Sequence, residues 1–155
     1  RSLGKEALQN VRQSVATMRQ PPLQGKALPE VLQKLVQEFE RTTGIHADLQ
    51  VQLTQSPPTE VAIALYRIVQ EATTNIAKHS QATEVHLSLT ENLKDLELIV
   101  EDNGQGFDPT VNTTGFGLQS MRERTEALGG VFKPYSQPNQ GCRIRLTIPQ
   151  SGAVL

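Results

Sequence analysis

Apolar residues recur along this chain with two different periods, and the switches between them lay out its elements. From Ser2 to Gln20, the residues Leu3, Ala7, Leu8, Val11, Val15 and Met18 step by threes and fours. Such a narrow seam asks for a partner helix; the alternative is a helix lying on the surface of the domain that follows. Pro21 and Pro22 end this helix, and Gln24-Gly25-Lys26 reads as a linker. Leu28, Val31, Leu32, Leu35, Val36 and Phe39 mark a second helix that begins near Pro29 and stops at Gly44. Ile45, Ala47, Leu49, Val51 and Leu53 then alternate strictly, the pattern of a half-buried strand. The loop from Gln55 to Thr59 offers Thr59 as N-cap to a third helix running to Ser80. Val85, Leu87 and Leu89 alternate, as do Leu96, Leu98 and Val100, on either side of a polar hairpin connection from Glu91 to Asp95. A further helix spans about Leu118 to Leu128 and is stopped by Gly129-Gly130. Two last strands, Val131 to Tyr135 and Cys142 to Ile148, flank the loop from Gln137 to Gly141, and Gln150 to Leu155 reads as a loose tail. Adjacent strands with helices between them predict an α+β fold, a two-layer sandwich whose mixed, mainly antiparallel sheet carries its helices on one face.

The third helix carries a polar stripe beside its apolar one. At about 100° per residue, Val61, Leu65, Ile68, Val69, Ala72 and Ile76 share one side, while Glu71, Asn75, Lys78 and His79 fall on the adjoining flank. A carboxylate, an amide, an ammonium and an imidazole in that spacing supply hard oxygen ligands and hydrogen-bond donors, which suit a metal-bound polyphosphate. The alternative is a solvated face whose last turn is basic because cations favour the negative end of the helix dipole.

Composition narrows the options. A chain of 155 residues with 37% hydrophobic and 20% charged content fits one ordinary compact domain. A net charge of −1 gives no basic footprint for nucleic acid. The single cysteine, Cys142, excludes an intrachain disulfide and a cysteine-rich zinc site, and is compatible with a reducing cytoplasm. No apolar run is long enough to span a bilayer, so no direct membrane contact is expected of this segment. The chain opens on Arg1 in what reads as mid-helix, so it is expected to be a piece of a longer protein, and the lack of a membrane segment here says nothing about that parent.

Asp102 keeps the parity of Leu96, Leu98 and Val100 and therefore ends its strand facing inward, where a carboxylate needs a donor. Gly104 and Gly106 follow, letting backbone turn tightly or approach a flat ligand closely. A carboxylate on the floor of a glycine-lined pocket can accept a hydrogen bond from an exocyclic amine such as that of adenine. The alternative is a plain turn in which Asp102 and Asn103 bond their own backbone. Gly115-Phe116-Gly117-Leu118 opens the next helix and exposes free amides of the kind that accept phosphate oxygens. Neither a P-loop nor a dinucleotide-binding GxGxxG run is present.

The stretches EATTNIAKH, DNGQGF and GFGL, in that order and closed by GCRIRLTIP, resemble the N box and the two glycine boxes of the GHKL ATPases. That superfamily holds DNA gyrase, the ninety-kilodalton heat-shock chaperones, mismatch-repair ATPases and sensor histidine kinases. The resemblance covers about Leu28 to Pro149. The short segment from Asp108 to Thr114 between the glycine boxes, and GFGLQSMRERTEALGG, are similar to sensor kinases of the nitrate-sensor type. It implies a Bergerat-type ATP-binding catalytic domain over residues 28–150, with 21–27 as linker and 151–155 as tail. Residues 1–20 would be the end of the second helix of a dimerisation and phosphoacceptor domain.

The resemblance further implies ATP and Mg²⁺ as ligands, with Asn75 holding the metal and Glu71 positioning or deprotonating the nucleophile. Lys78 and His79 would neutralise phosphate charge, and Asp102 would bind the adenine amine with Gly104 and Gly106 making room for the base. Gly115, Gly117 and Leu118 would let the lid fold over the triphosphate. Cys142 stands where the family often has threonine. The implied partners are the phosphoacceptor histidine domain of the same dimer and a response regulator, and the implied location is cytoplasmic. None of His46, His79 and His86 has the family's acceptor setting, so the acceptor is expected to lie outside this chain. Two alternatives stand beside this reading: an anti-sigma-factor serine kinase and a non-catalytic nucleotide-binding module.

Overall fold

The computed structural model describes residues 25–106 and 118–150. The seam helix and the linker up to residue 24, the short lid segment with Gly115 and Gly117, and the tail at 151–155 lie outside the described residues. Helix α1 (Leu28–Thr43) starts with Pro29 in its first turn and ends at Gly44, whose left-handed φ of 76° lets its N–H reach Glu40 O at 2.9 Å. Its buried stripe is Leu28, Val31, Leu32, Val36 and Phe39, the predicted periodicity. Strand β1 (His46–Gln52) follows at once, and helix α2 (Thr59–Asn75) crosses back to strand β2 (Glu84–Glu91). Strands β2 and β3 (Asp95–Asp102) form a hairpin, helix α3 (Leu118–Ala127) follows, and β4 (Val131–Ser136) and β5 (Cys142–Pro149) form a second hairpin.

The sheet runs β1-β2-β3-β5-β4, with β1 parallel to β2 and every other pairing antiparallel. The crossover through α2 makes the one parallel pair, and the helices cover one face, as the element order predicts. Leu32, Leu65, Ile68 and Val69 from the helices and Leu87, Leu89, Leu98, Leu146 and Ile148 from the strands form one core. The other face is polar: Asp48 lies opposite His86, and Glu101 opposite Arg143.

Two local expectations need correction. Thr59 is not the N-cap of α2. Pro58, extended at ψ 151°, takes that place, its carbonyl accepts from Ala62 N–H at 2.9 Å, and no side chain caps the helix. Nor does regular helix continue to Ser80: after Asn75 the backbone widens into a π-helical turn, Ile76–Ser80, closed by Gln81 with φ 55°. Thr73 and Thr74 prepare the change. The Thr73 hydroxyl donates to Val69 O at 2.9 Å and the Thr74 hydroxyl to Gln70 O at 2.9 Å, bonds that loosen and bend a helix. A wider turn also rotates Lys78 and His79 away from the positions that a constant 100° step assigns.

Candidate functional site

The π turn, the end of β3 and the start of β5 line a cleft that, together with the open space at its mouth, spans about 450 Å³. Ala72, Asn75, Ile76, His79 and Ser80 form its helix wall, and Val100, Asp102, Cys142 and Ile144 form its sheet wall. Gly106 and Leu118 complete the lining among the described residues. The apolar members suit a flat ring, and the few polar ones can orient it.

Asp102 is the most telling of them. It is only 7% exposed, and strand parity turns it inward with Leu98 and Val100. Its Oδ1 accepts from Gly104 N–H at 2.7 Å, and the Cys142 N–H lies close enough to favour the charged form. Burial nevertheless pushes its pKa above the ordinary carboxylate value, against the pull of those two donors, and Glu101 adds to the rise. The carboxylate is thus short of solvation and has capacity for a further donor. Beside it, burial and the Asp102 charge push the Cys142 thiol up to about 12, so that it stays neutral.

The loop after Asp102 is wedged between two backbones. A Cβ on Gly104 would stand 2.3 Å from Ser80 O, and one on Gly106, at φ 67°, would stand 2.2 Å from Gln137 O. Both glycines are therefore required by protein packing, against the π turn on one side and the β4–β5 hairpin on the other.

Of the residues expected at a site, Asn75, His79, Asp102, Gly106 and Leu118 converge on the cleft. Glu71, Lys78 and Gly104 do not line it: Lys78 is exposed, Glu71 is partly exposed along α2, and Gly104 is buried under Ser80. Gly115 and Gly117 lie outside the described residues. Val100, Ile144 and Ser80 also line the cleft, although the sequence pattern does not single them out as site residues. The parity that Val100 shares with Asp102 is a signal that could find it, whereas Ser80 reaches the cleft through the π turn.

The profile of the family described as "Histidine kinase-, DNA gyrase B-, and HSP90-like ATPase" matches residues 60–152. The chain is 37% identical over 151 residues to the signal transduction histidine-protein kinase/phosphatase DegS of Brevibacillus brevis, covering 96% of this chain and 39% of that protein. It is 36% identical over 145 residues to the sensor histidine kinase LiaS of Bacillus subtilis, covering 93% of this chain and 40% of that one. The chain thus spans about two fifths of the length of these curated relatives. Among solved structures, the blue-light activated histidine kinase of Erythrobacter litoralis superposes with a TM-score of 0.69 at 21% identity, over 81% of this chain and 42% of that one. The ATP binding domain of PrrB from Mycobacterium tuberculosis superposes with a TM-score of 0.63 at 23% identity, over 78% of this chain and 92% of that one. At these identities the two structures speak for the fold.

Proposed function

The chain belongs to the histidine kinase-, DNA gyrase B- and HSP90-like ATPase family, and from that membership we propose that it is the ATP-binding catalytic domain of a sensor histidine kinase. The γ-phosphoryl of Mg-ATP passes to a histidine on the phosphoacceptor domain of the same dimer, and from there to an aspartate of a response regulator. The observation that carries the reading is Asp102, a buried, under-solvated carboxylate on the floor of a mostly apolar cleft. Such a group accepts the adenine amine and discriminates against a base with a carbonyl at that position, because an unmatched buried acceptor is costly.

Across the cleft, Asn75 is the Mg²⁺ ligand in this proposal. Among the described residues no group of three or more His, Cys, Asp or Glu side chains could hold a metal alone. Mg²⁺ accepts one or two protein ligands, with phosphate oxygens and water completing its shell, so one amide oxygen suffices. The metal supplies charge neutralisation on the phosphates. Glu71 orients or deprotonates the attacking nucleophile, Lys78 and His79 offset phosphate charge, and Gly115, Gly117 and Leu118 let the lid fold over the triphosphate. Phosphoryl transfer depends mainly on such positioning and charge stabilisation.

Among the described residues no helix is long and apolar enough to cross a membrane. The proposed location of this segment is cytoplasmic. The named relatives are histidine kinases, which favours that acceptor chemistry over a serine kinase.

Calorimetric titration with a non-hydrolysable ATP analogue, with and without Mg²⁺, tests the proposal. Mg²⁺-dependent binding that Asn75→Ala removes is the expected result. No binding by the unmodified chain overturns it. With labelled ATP, the chain alone is expected to acquire no acid-labile phosphate, since its three histidines lack the acceptor setting.

A further inference from the structure

The residue between Asp102 and Gly104 does not line the cleft, yet it makes four bonds to a segment about twenty positions earlier. The side-chain Oδ1 of Asn103 accepts from Thr83 N–H at 2.9 Å and from Glu84 N–H at 3.0 Å. Its Nδ2 donates to the Thr83 hydroxyl at 2.9 Å, and its backbone N–H donates to Glu84 O at 3.3 Å. Both poles of one amide are therefore used on the stretch that leads from the π turn into β2. Gln105 supplies a second strut: its N–H donates to Ser80 O at 2.6 Å, and its side-chain amide donates to His79 O. The last carbonyls of a helix normally lack partners. Here the loop after β3 provides them, and Gly104 allows the close approach to Ser80.

The two walls of the cleft are therefore tied together at this point. Asp102 stands immediately before the loop on the sheet wall, and His79 stands in the turn whose carbonyls the loop holds, with Asn75 one turn earlier. We propose that Asn103 is a positioning residue: its bonds to Thr83 and Glu84 fix the separation of Asp102 from the Asn75 and His79 wall, so that one nucleotide engages both walls at once. This rests on the ATP-binding reading above. A ligand held at two points gains from the second contact only when the spacing of the two is preset. Asn103 is itself exposed, with no part in the apolar core, so replacing it loosens the loop without opening the core.

The test compares the unmodified chain with Asn103→Leu, Asn103→Asp and Thr83→Val. Calorimetry measures affinity for a non-hydrolysable ATP analogue with and without Mg²⁺ and for adenosine, and amide hydrogen exchange is followed at Gln105. Asn103→Leu is expected to weaken the Mg²⁺-analogue complex by about tenfold. It is also expected to shrink the ratio of affinities with and without Mg²⁺ and to speed exchange at Gln105, while adenosine binding changes less. Asn103→Asp keeps both acceptor bonds and is expected to restore most of the ratio. Thr83→Val removes the partner of Nδ2 alone and is expected to fall between. Equal loss with and without Mg²⁺, not restored by Asn103→Asp, would assign Asn103 a merely structural role and overturn the proposal. So would unchanged binding in Asn103→Leu. Failure of the unmodified chain to bind any analogue would instead bring down the ATP-binding reading itself, and this proposal with it.

Discussion

The two ends of the sheet each set a carboxylate beside a cavity, and the two carboxylates are opposites. At one end, Asp102 is buried at the floor of the 450 Å³ cleft, and desolvation raises its pKa. At the other, Glu91 lines a cavity of about 740 Å³ with Pro57, Pro58, Val61 and Leu96, and its pKa is lowered. The cause is Thr54, whose hydroxyl donates to Glu91 Oε2 at 2.6 Å and whose N–H donates to Oε1 at 2.9 Å. The larger hollow thus borders an exposed carboxylate that the protein has already satisfied. Cavity size does not single out the proposed site; unmet demand for a donor does.

The largest effect is expected at Asp102. Asp102→Asn is expected to weaken binding of the ATP analogue on the order of 100-fold, because the charge-assisted bond proposed to the adenine amine would be lost. Calorimetry reads this, and a loss of less than about threefold would remove Asp102 from the centre of the site. The same variant should fold at least as stably as the parent at neutral pH, since it removes a buried charge.

Gly104→Ala should come next in size. The added Cβ would lie 2.3 Å from Ser80 O and 2.7 Å from Ser80 Cβ, so the π turn and the loop must part. A destabilisation of about 1–3 kcal/mol is expected in denaturant unfolding.

The two carboxylates should also leave opposite signatures in stability against pH. The folded pKa of Asp102 is raised above its ordinary 3.8, so its contribution is fully present below 3.8 and is lost as pH rises through the folded value. The folded pKa of Glu91 is lowered from 4.5, so its contribution is present above 4.5 and is lost as pH falls through the folded value. Thermal melts across the acidic range should therefore differ from the parent in opposite directions for Asp102→Asn and Glu91→Gln. Melts that shift alike would refute the assigned environments.

The smallest effect is expected at the far end of the sheet. Glu91→Gln should lower Tm slightly, through weaker bonds to Thr54, and leave nucleotide affinity unchanged. A change in affinity would connect the far cavity to the site.

Much of this architecture is legible in residue order. Period-two alternation identifies the first three strands, the Gln137–Gly141 loop sets off the last two, Gly44 and Gly129-Gly130 punctuate the helices, and the parity of β3 alone suffices to turn Asp102 inward. The π turn is not legible in the same way, because a constant 100° step carried through Ile76–Ser80 hides it. The Thr73-Thr74 pair is the local sign of the change, but threonines that back-bond to a helix are common and decide nothing alone.

Local pattern determined element type, sheet face and the inward carboxylate, because burial periodicity and parity depend on neighbours a few residues away. Only the tertiary structure decided which polar residues of the central helix reach the cleft. His79 and Ser80 take their places in a wide turn whose carbonyls are held by Gln105, and Asn103 bonds to Thr83 and Glu84. Those bonds join residues about twenty or more positions apart, brought together by the pairing of β2 with β3, and no short-range periodicity records them.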